Sequence, residues 1–212
     1  MNRRNFLQVA SVGALAQAAL NAQNAKRIGE GIKLGFDTYS VRAFKWKDIQ
    51  LLDFAASLKV DCMQISESVD YASVEPAHRA KVKAHADKLN IELDAGIGCI
   101  CPIAKGWKPR GMTPEQEMIE GLRIAKAVGA RSMRCVMGGV DDRRTGPPVE
   151  QMMDVTIKTF RAVKSRAQDL NVKIAIENHG DLTAPETRTI IEESGKDYVA
   201  ACLDTGNPIS VM

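Results

Sequence analysis

Six short apolar runs recur along the chain at nearly even intervals, and a helical pattern fills each gap between them. The runs fall at about residues 32–37, 61–66, 91–97, 131–137, 172–177 and 199–204. They read as continuous rather than alternating, the pattern of strands in a parallel sheet that is covered on both faces or ringed by helices. Between them, Lys47–Lys59 sets Leu51, Leu52, Ala55 and Leu58 on one stripe, and Glu75–Asn90 does the same with Val82, Ala86 and Leu89. Thr113-Pro114-Glu115-Gln116 reads as a capping box with proline at the first helical position, opening a helix to about Val128. Val149, Met153, Thr156, Phe160, Val163, Ala167 and Leu170 recur at alternating steps of four and three, a strongly amphipathic helix. Thr183-Ala184-Pro185-Glu186 is a second capping box, and Gly195 is placed to end that helix.

The order is therefore βαβαβαβαβαβ. With Leu34, Met63, Leu93, Met133, Ile174 and Ala201 as strand centres, the intervals are 29, 30, 40, 41 and 27 residues. A (β/α)8 barrel of about 250 residues needs roughly 31 per unit, so the spacing fits. An open doubly wound sheet usually carries a glycine-rich phosphate turn after its first strand. Here the first run leads into Phe36-Asp37-Thr38-Tyr39-Ser40, and Gly96-Ile97-Gly98-Cys99-Ile100-Cys101 after the third lacks a third glycine. The expected fold over residues 32–212 is a (β/α)8 TIM barrel. The sequence ends eight residues after Asp204. The expectation is thus a barrel truncated after the sixth strand, from a truncated gene or partial sequence, with two unpaired edges.

Composition narrows the function. The 212 residues are 45% hydrophobic and 26% charged, ordinary values for one globular domain. Net charge is +3, and without Arg3 and Arg4 it is 27 basic against 26 acidic residues, which leaves no basic footprint for nucleic acid. Those two arginines stand apart. Asn2-Arg3-Arg4-Asn5-Phe6-Leu7-Gln8 resembles a twin-arginine export signal, followed by a mildly apolar stretch from Val9 to Leu20 that is too short to span a bilayer. Residues 1–25 are expected to be that signal, and the protein to be periplasmic or exported. Cys62, Cys135 and Cys202 lie in strand runs, Cys99 and Cys101 in a loop, so neither a zinc site nor a disulfide framework is expected.

Two acidic residues carry the chemistry. Glu177 ends the fifth run and Asp204 the sixth. On neighbouring parallel strands they share the carboxyl end of the sheet, where ligands of such folds bind. Two fixed carboxylates suit a hard divalent cation or acid–base work on a polar substrate. His179, two residues after Glu177, can point to the same side of an extended strand end. His78 and His85 belong to the outer helices. The loop after strand three holds Trp107 with Lys105, Lys108 and Arg110; the loop after strand four holds Asp141, Asp142, Arg143 and Arg144. Such loops commonly hold substrate, here a polyol or acidic sugar.

At Leu34-Gly35-Phe36-Asp37-Thr38-Tyr39-Ser40, Ile176-Glu177-Asn178-His179-Gly180 and Leu203-Asp204-Thr205-Gly206-Asn207 the chain resembles the xylose isomerase-like TIM barrel superfamily. That group includes sugar isomerases and epimerases, inosose dehydratase-like enzymes and barrel-type apurinic endonucleases. The resemblance implies that Glu177 binds a divalent metal (manganese, magnesium, cobalt or zinc) and acts as acid–base, with Asp204 a second ligand. A His and a Glu from strands seven and eight would complete the set, and neither has a counterpart here. His179, Asn207 and Trp107 are the substrate-binding candidates. Asn207 stands where the endonuclease branch has a His, which argues against DNA repair. The implied activity is metal-dependent sugar isomerisation or epimerisation through an enediolate, with the truncated chain itself expected to be inactive. A keto-polyol dehydratase or a non-catalytic periplasmic carbohydrate-binding barrel are the alternatives. The partner is a small sugar or polyol; oligomerisation is left open.

Overall fold

Every second residue of the strands is apolar, and those residues lie under the helices. The computed structural model describes residues 31–211. The fold is that of one compact unit that begins at Leu34. In β2 (Cys62–Ile65), β3 (Glu92–Cys99), β4 (Ser132–Val136) and β5 (Lys173–Glu177), Met63, Ile65, Leu93, Ala95, Ile97, Met133, Cys135, Ile174 and Ile176 are buried in one core. The residues between them turn to the opposite face and are mostly polar: Gln64, Asp94, Ser132, Arg134 and Glu177. The runs read from the sequence as continuous are therefore corrected to alternating ones, with helices over one face of the sheet. Small residues at inward positions, such as Gly96 and Ala175, made the runs look unbroken. Cys62 and Cys202 belong to the inward set and are only half-buried, unlike Cys135. None of the five cysteines forms a disulfide.

The six strands, from β1 (Gly35–Asp37) to β6 (Val199–Cys202), pair in sequence order and all in parallel. The register places Val136 beside Glu177 and Glu177 beside Cys202. β1 is shorter than expected. Leu34 is 70% exposed, held through its backbone to Asp61, whose N–H donates to the Leu34 carbonyl at 2.7 Å. β3 runs longer, and its pairing with β4 shifts between Gly96 and Cys99. This bulge turns Cys99 to the same side as Gly96, making it the last strand residue rather than part of a loop.

The helices are α1 (Asp48–Ser57), α2 (Pro76–Leu89), α3 (Pro114–Val128), α4 (Val140–Thr145), α5 (Val149–Leu170) and α6 (Ala184–Ser194). Both expected capping boxes form. Gln116 Oε1 accepts the Thr113 N–H at 2.8 Å, and Glu186 Oε2 accepts that of Thr183 at 2.8 Å. Leu58, expected on the buried stripe of α1, is 51% exposed because the helix ends before it. The short α4 lies in a segment expected to be loop. Asp142 explains it: its Oδ2 accepts the Gly139 N–H at 3.0 Å and so caps the first turn.

Helix α3 lies flush on the sheet at Gly121. A Cβ there would meet Met133 Sδ at 2.5 Å and Ile97 Cγ2 at 2.7 Å. Gly121→Val is expected to cost about 1–3 kcal/mol through overpacking, read as a lower urea midpoint at unchanged slope. An unchanged midpoint would mean that the helix yields without penalty. Arg3, Arg4 and Val9–Leu20 lie outside the described residues. No helix among the described residues is long and apolar enough to cross a membrane.

Candidate functional site

Each strand ends on the same side of the sheet, and the inward face there is polar. Asp37 at the end of β1 accepts from Gln64 Nε2 at 2.5 Å, from the Tyr39 N–H at 2.7 Å and from the Ser66 hydroxyl. Ser132 Oγ donates to Asp94 at 2.8 Å. Arg134 Nε donates to Glu177 Oε2 at 2.5 Å and its Nη1 to the Ile97 carbonyl at 3.3 Å. Above this floor are two cavities. One of about 360 Å³ includes Asp37, Gln64, Glu177, Cys202, Asp204 and Asn207 in its lining. The other, of about 530 Å³, reaches Glu67, Cys99, Lys105, Lys108, Asp141 and Asp142. Tyr39, Arg134 and His179 line both, so they form one mouth.

Four of the five candidate residues meet there. Glu177, His179, Asp204 and Asn207 all line the smaller cavity. Glu177 is 7% exposed, and Asn207 Nδ2 lies 3.4 Å from its Oε1. His179 Nδ1 lies 3.0 Å from the Gly138 carbonyl. A carbonyl only accepts, so Nδ1 carries the proton and Nε2 of the neutral ring is left as an acceptor. Trp107 lines neither cavity, although its neighbours Gly106 and Lys108 line the larger one. His78 and His85 pair with Asp48 and Asp53, each at 2.7 Å, on the outer helices.

Residues that the sequence did not single out, Asn178 and Asp181, and two that it read as loop charges, Asp142 and Arg143, hold this geometry. Asn178, 5% exposed, grips Asp204 on both sides of its backbone. Its Nδ2 donates to the Asp204 carbonyl at 2.8 Å and its Oδ1 accepts the Asp204 N–H at 2.9 Å. The carboxyl ends of β5 and β6 are thereby fastened together. Asp181 is fully buried and accepts N–H bonds from Gly138 at 2.6 Å and His179 at 3.1 Å. Burial pushes its carboxyl upward against those bonds. Asp142 accepts the Lys105 N–H at 2.6 Å, tying the β3 loop to α4. Arg143 spans to Glu186 at 2.8 Å. Two of the four charges expected to face substrate after strand four are therefore structural. Burial also pushes the Cys99 thiol up to about 12. It stays protonated and donates to the Met137 carbonyl at 2.9 Å.

A divalent cation fits these residues only in part. Glu177 and Asp204 are hard oxygen donors of the correct type. However, Glu177 is already paired with Arg134, and Asp204 Oδ1 accepts the Gly206 and Asn207 N–H groups at 2.7 and 2.9 Å. No group of three His, Cys, Asp or Glu side chains placed to hold a metal occurs among the described residues.

Residues 52–211 match the family described as Xylose isomerase-like TIM barrel. No curated protein matches. Among solved structures, a D-psicose 3-epimerase in the presence of D-fructose is 18% identical, with a TM-score of 0.66 over 83% of this chain and 64% of its own. A xylose isomerase domain protein from Planctomyces limnophilus is 17% identical, with a TM-score of 0.58 over 82% and 64%. The IOLI protein with a bound zinc atom is 15% identical, with a TM-score of 0.63 over 84% and 64%. At these identities the likeness is one of fold, and the chain spans less than two thirds of the length of each.

Proposed function

This chain belongs to the xylose isomerase-like TIM barrel family, and from that premise we propose that it acts on a keto-sugar or polyol as an isomerase or epimerase, with Glu177 as the proton-transfer group. The observation that carries the reading is the placement of Glu177: a buried carboxylate at the floor of a polar mouth, on the strand end where such folds bind ligands. The reaction takes a proton from the carbon beside a carbonyl and returns it to a neighbouring carbon or to the other face. The enediolate between these steps carries negative charge on oxygen. Arg134 supplies a fixed positive charge next to the base, and Asn207 supplies an amide donor. His179, with Nε2 as acceptor, can take a hydroxyl hydrogen of the substrate. Sugar-acting neighbours, among them the D-psicose 3-epimerase, support the substrate class.

A divalent ion held by Glu177 and Asp204 is the finer part of the proposal. It would polarise the substrate carbonyl. The test of the reaction class is solvent deuterium entering the carbon next to the carbonyl of a 2-ketohexose, followed by proton NMR. Incorporation above the buffer rate is expected of a chain extended to all eight βα units, and little or none of residues 1–212 alone. None from the extended chain at saturating ketose would sink the reading.

Export is also proposed, on Arg3 and Arg4. Changing both to lysine is expected to leave the protein in the cytoplasm with its circular dichroism unaltered, because a receptor reads the pair. Export of the double variant at the normal level would contradict the assignment.

A further inference from the structure

Tyr39 stands at the lip of the mouth, 60% exposed, and lines both cavities. A lone exposed aromatic ring on an ordinary surface needs no explanation. Tyr39, however, is held in place from two directions. From below, its N–H donates to Asp37 Oδ1 at 2.7 Å and to Ser66 Oγ at 3.1 Å. Ser66 and the adjacent Thr38 are buried, and the Ser66 N–H donates to Thr38 Oγ1 at 2.9 Å, so the mount is rigid. From one side, Arg42 lays its guanidinium over the ring, with Cζ 3.9 Å from the centroid. Arg42 Nη1 also donates to the Tyr39 carbonyl at 2.7 Å. Phe44 is exposed too, but it packs on Trp46 at 4.5 Å and on Phe54. Tyr39 is in no such ring pair among the described residues.

With one face under the guanidinium, the exposed area of Tyr39 belongs to its other face and its edge. A fixed aromatic plate beside polar groups matches a sugar ring. The C–H bonds on one face of such a ring gather into an apolar patch, while the hydroxyls point outward around its rim. Gln64 borders the smaller cavity, Glu67 and Lys108 the larger, and Arg134 and His179 both, so donors and acceptors for hydroxyls surround the plate. An open-chain polyol carries the same hydroxyls but has no rigid face, and it gains nothing from the plate. We propose that Tyr39 is a stacking platform for the C–H face of a closed sugar ring, so that the mouth selects a ring-form sugar over an open-chain polyol. The inference rests on the reading of this mouth as a sugar site and narrows its substrate class. A keto-sugar whose carbonyl is a ring carbon keeps the flat face and the acidic C–H together. One whose carbonyl is masked in the ring docks first and then opens.

The test is a proton NMR titration of the 212-residue chain with two sugars. One is methyl β-D-fructopyranoside, a ketohexose locked in its ring; the other is D-sorbitol, an open-chain hexitol. On binding, the C–H protons on one face of the locked ring are expected to move upfield, as protons held over an aromatic ring do. Tyr39→Ala is expected to weaken binding of the locked ring by on the order of tenfold and to abolish that shift. Tyr39→Phe stays within about twofold of the original, because stacking needs no hydroxyl. Sorbitol binds more weakly than the ring, and equally to the original and to Tyr39→Ala. The side chain is exposed and its mount is made by backbone groups, so Tyr39→Ala keeps the fold, which circular dichroism checks. Undiminished binding of the locked ring by Tyr39→Ala overturns the proposal. So does a Tyr39→Phe that loses as much as Tyr39→Ala, which would make the phenol a hydrogen-bonding group instead of a plate. An equal loss for sorbitol overturns the selection of a ring. If Tyr39→Ala binds the ring unchanged while solvent exchange into a ketohexose proceeds in the extended chain, only the platform falls. If the original chain binds neither sugar, the platform and the sugar-site reading fall together.

Discussion

In a chain extended to all eight βα units, Glu177→Gln is expected to lower the rate of solvent exchange into a ketohexose by about 10²–10⁴-fold, the usual worth of a positioned acid–base group. The amide keeps the shape of the side chain. Its oxygen still accepts from the Arg134 guanidinium, so one hydrogen bond survives to hold the strand end in place. What is lost is the capacity to take a proton from carbon. The thermal melt by circular dichroism should therefore move far less than the rate. Undiminished exchange in Glu177→Gln would remove this residue from the reaction, whatever its place in the mouth.

The second large effect belongs to a residue with no expected chemistry. Asn178→Ala removes both bonds to the backbone of Asp204 and leaves a carbonyl and an N–H of a strand end without their partner. Two such losses at a residue 5% exposed should cost about 2–4 kcal/mol. The readout is the urea midpoint at constant slope. Asn178→Asp discriminates the two halves of the clamp: it keeps an acceptor for the Asp204 N–H and loses the donor to the Asp204 carbonyl, so it should fall between the two. A midpoint shift under about 0.5 kcal/mol, the scale of surface changes, would show that β5 and β6 are held at their ends by something else.

The sequence carried the fold well because the fold rests on periodicity. The bounds of α5 matched its four-and-three repeat, and both threonine capping boxes formed where their spacing placed them. Glu177 and Asp204 were legible because each ends a strand run, and parallel order puts strand ends together. Arg134 was not. It sits inside Ser132-Met133-Arg134-Cys135-Val136, and a run read as uniformly apolar hides its one charge. Alternation of Met133 and Cys135 with Ser132 and Arg134 was the available signal. Asn178 and Asp181 were hidden for another reason. Their partners are backbone groups 26 and 43 residues away, and nothing in the local sequence encodes such a distance. Asp142 was read as a substrate-facing loop charge because its role as a cap depends on a helix of only six residues.

The alternation of the strands has a consequence for how such a protein can change over generations. Met133 and Arg134, or Ile176 and Glu177, are adjacent in sequence but face opposite worlds. One anchors a helix; the other touches whatever enters the mouth. Inherited substitutions at the inward positions can alter the chemistry without disturbing the packing that keeps the chain folded. Substitutions at the outward positions are constrained by volume and tolerate little. A single nucleotide step to one side or the other thus meets two different kinds of selection. A scaffold ruled in this way can be inherited intact while its reactivity is rewritten one inward residue at a time.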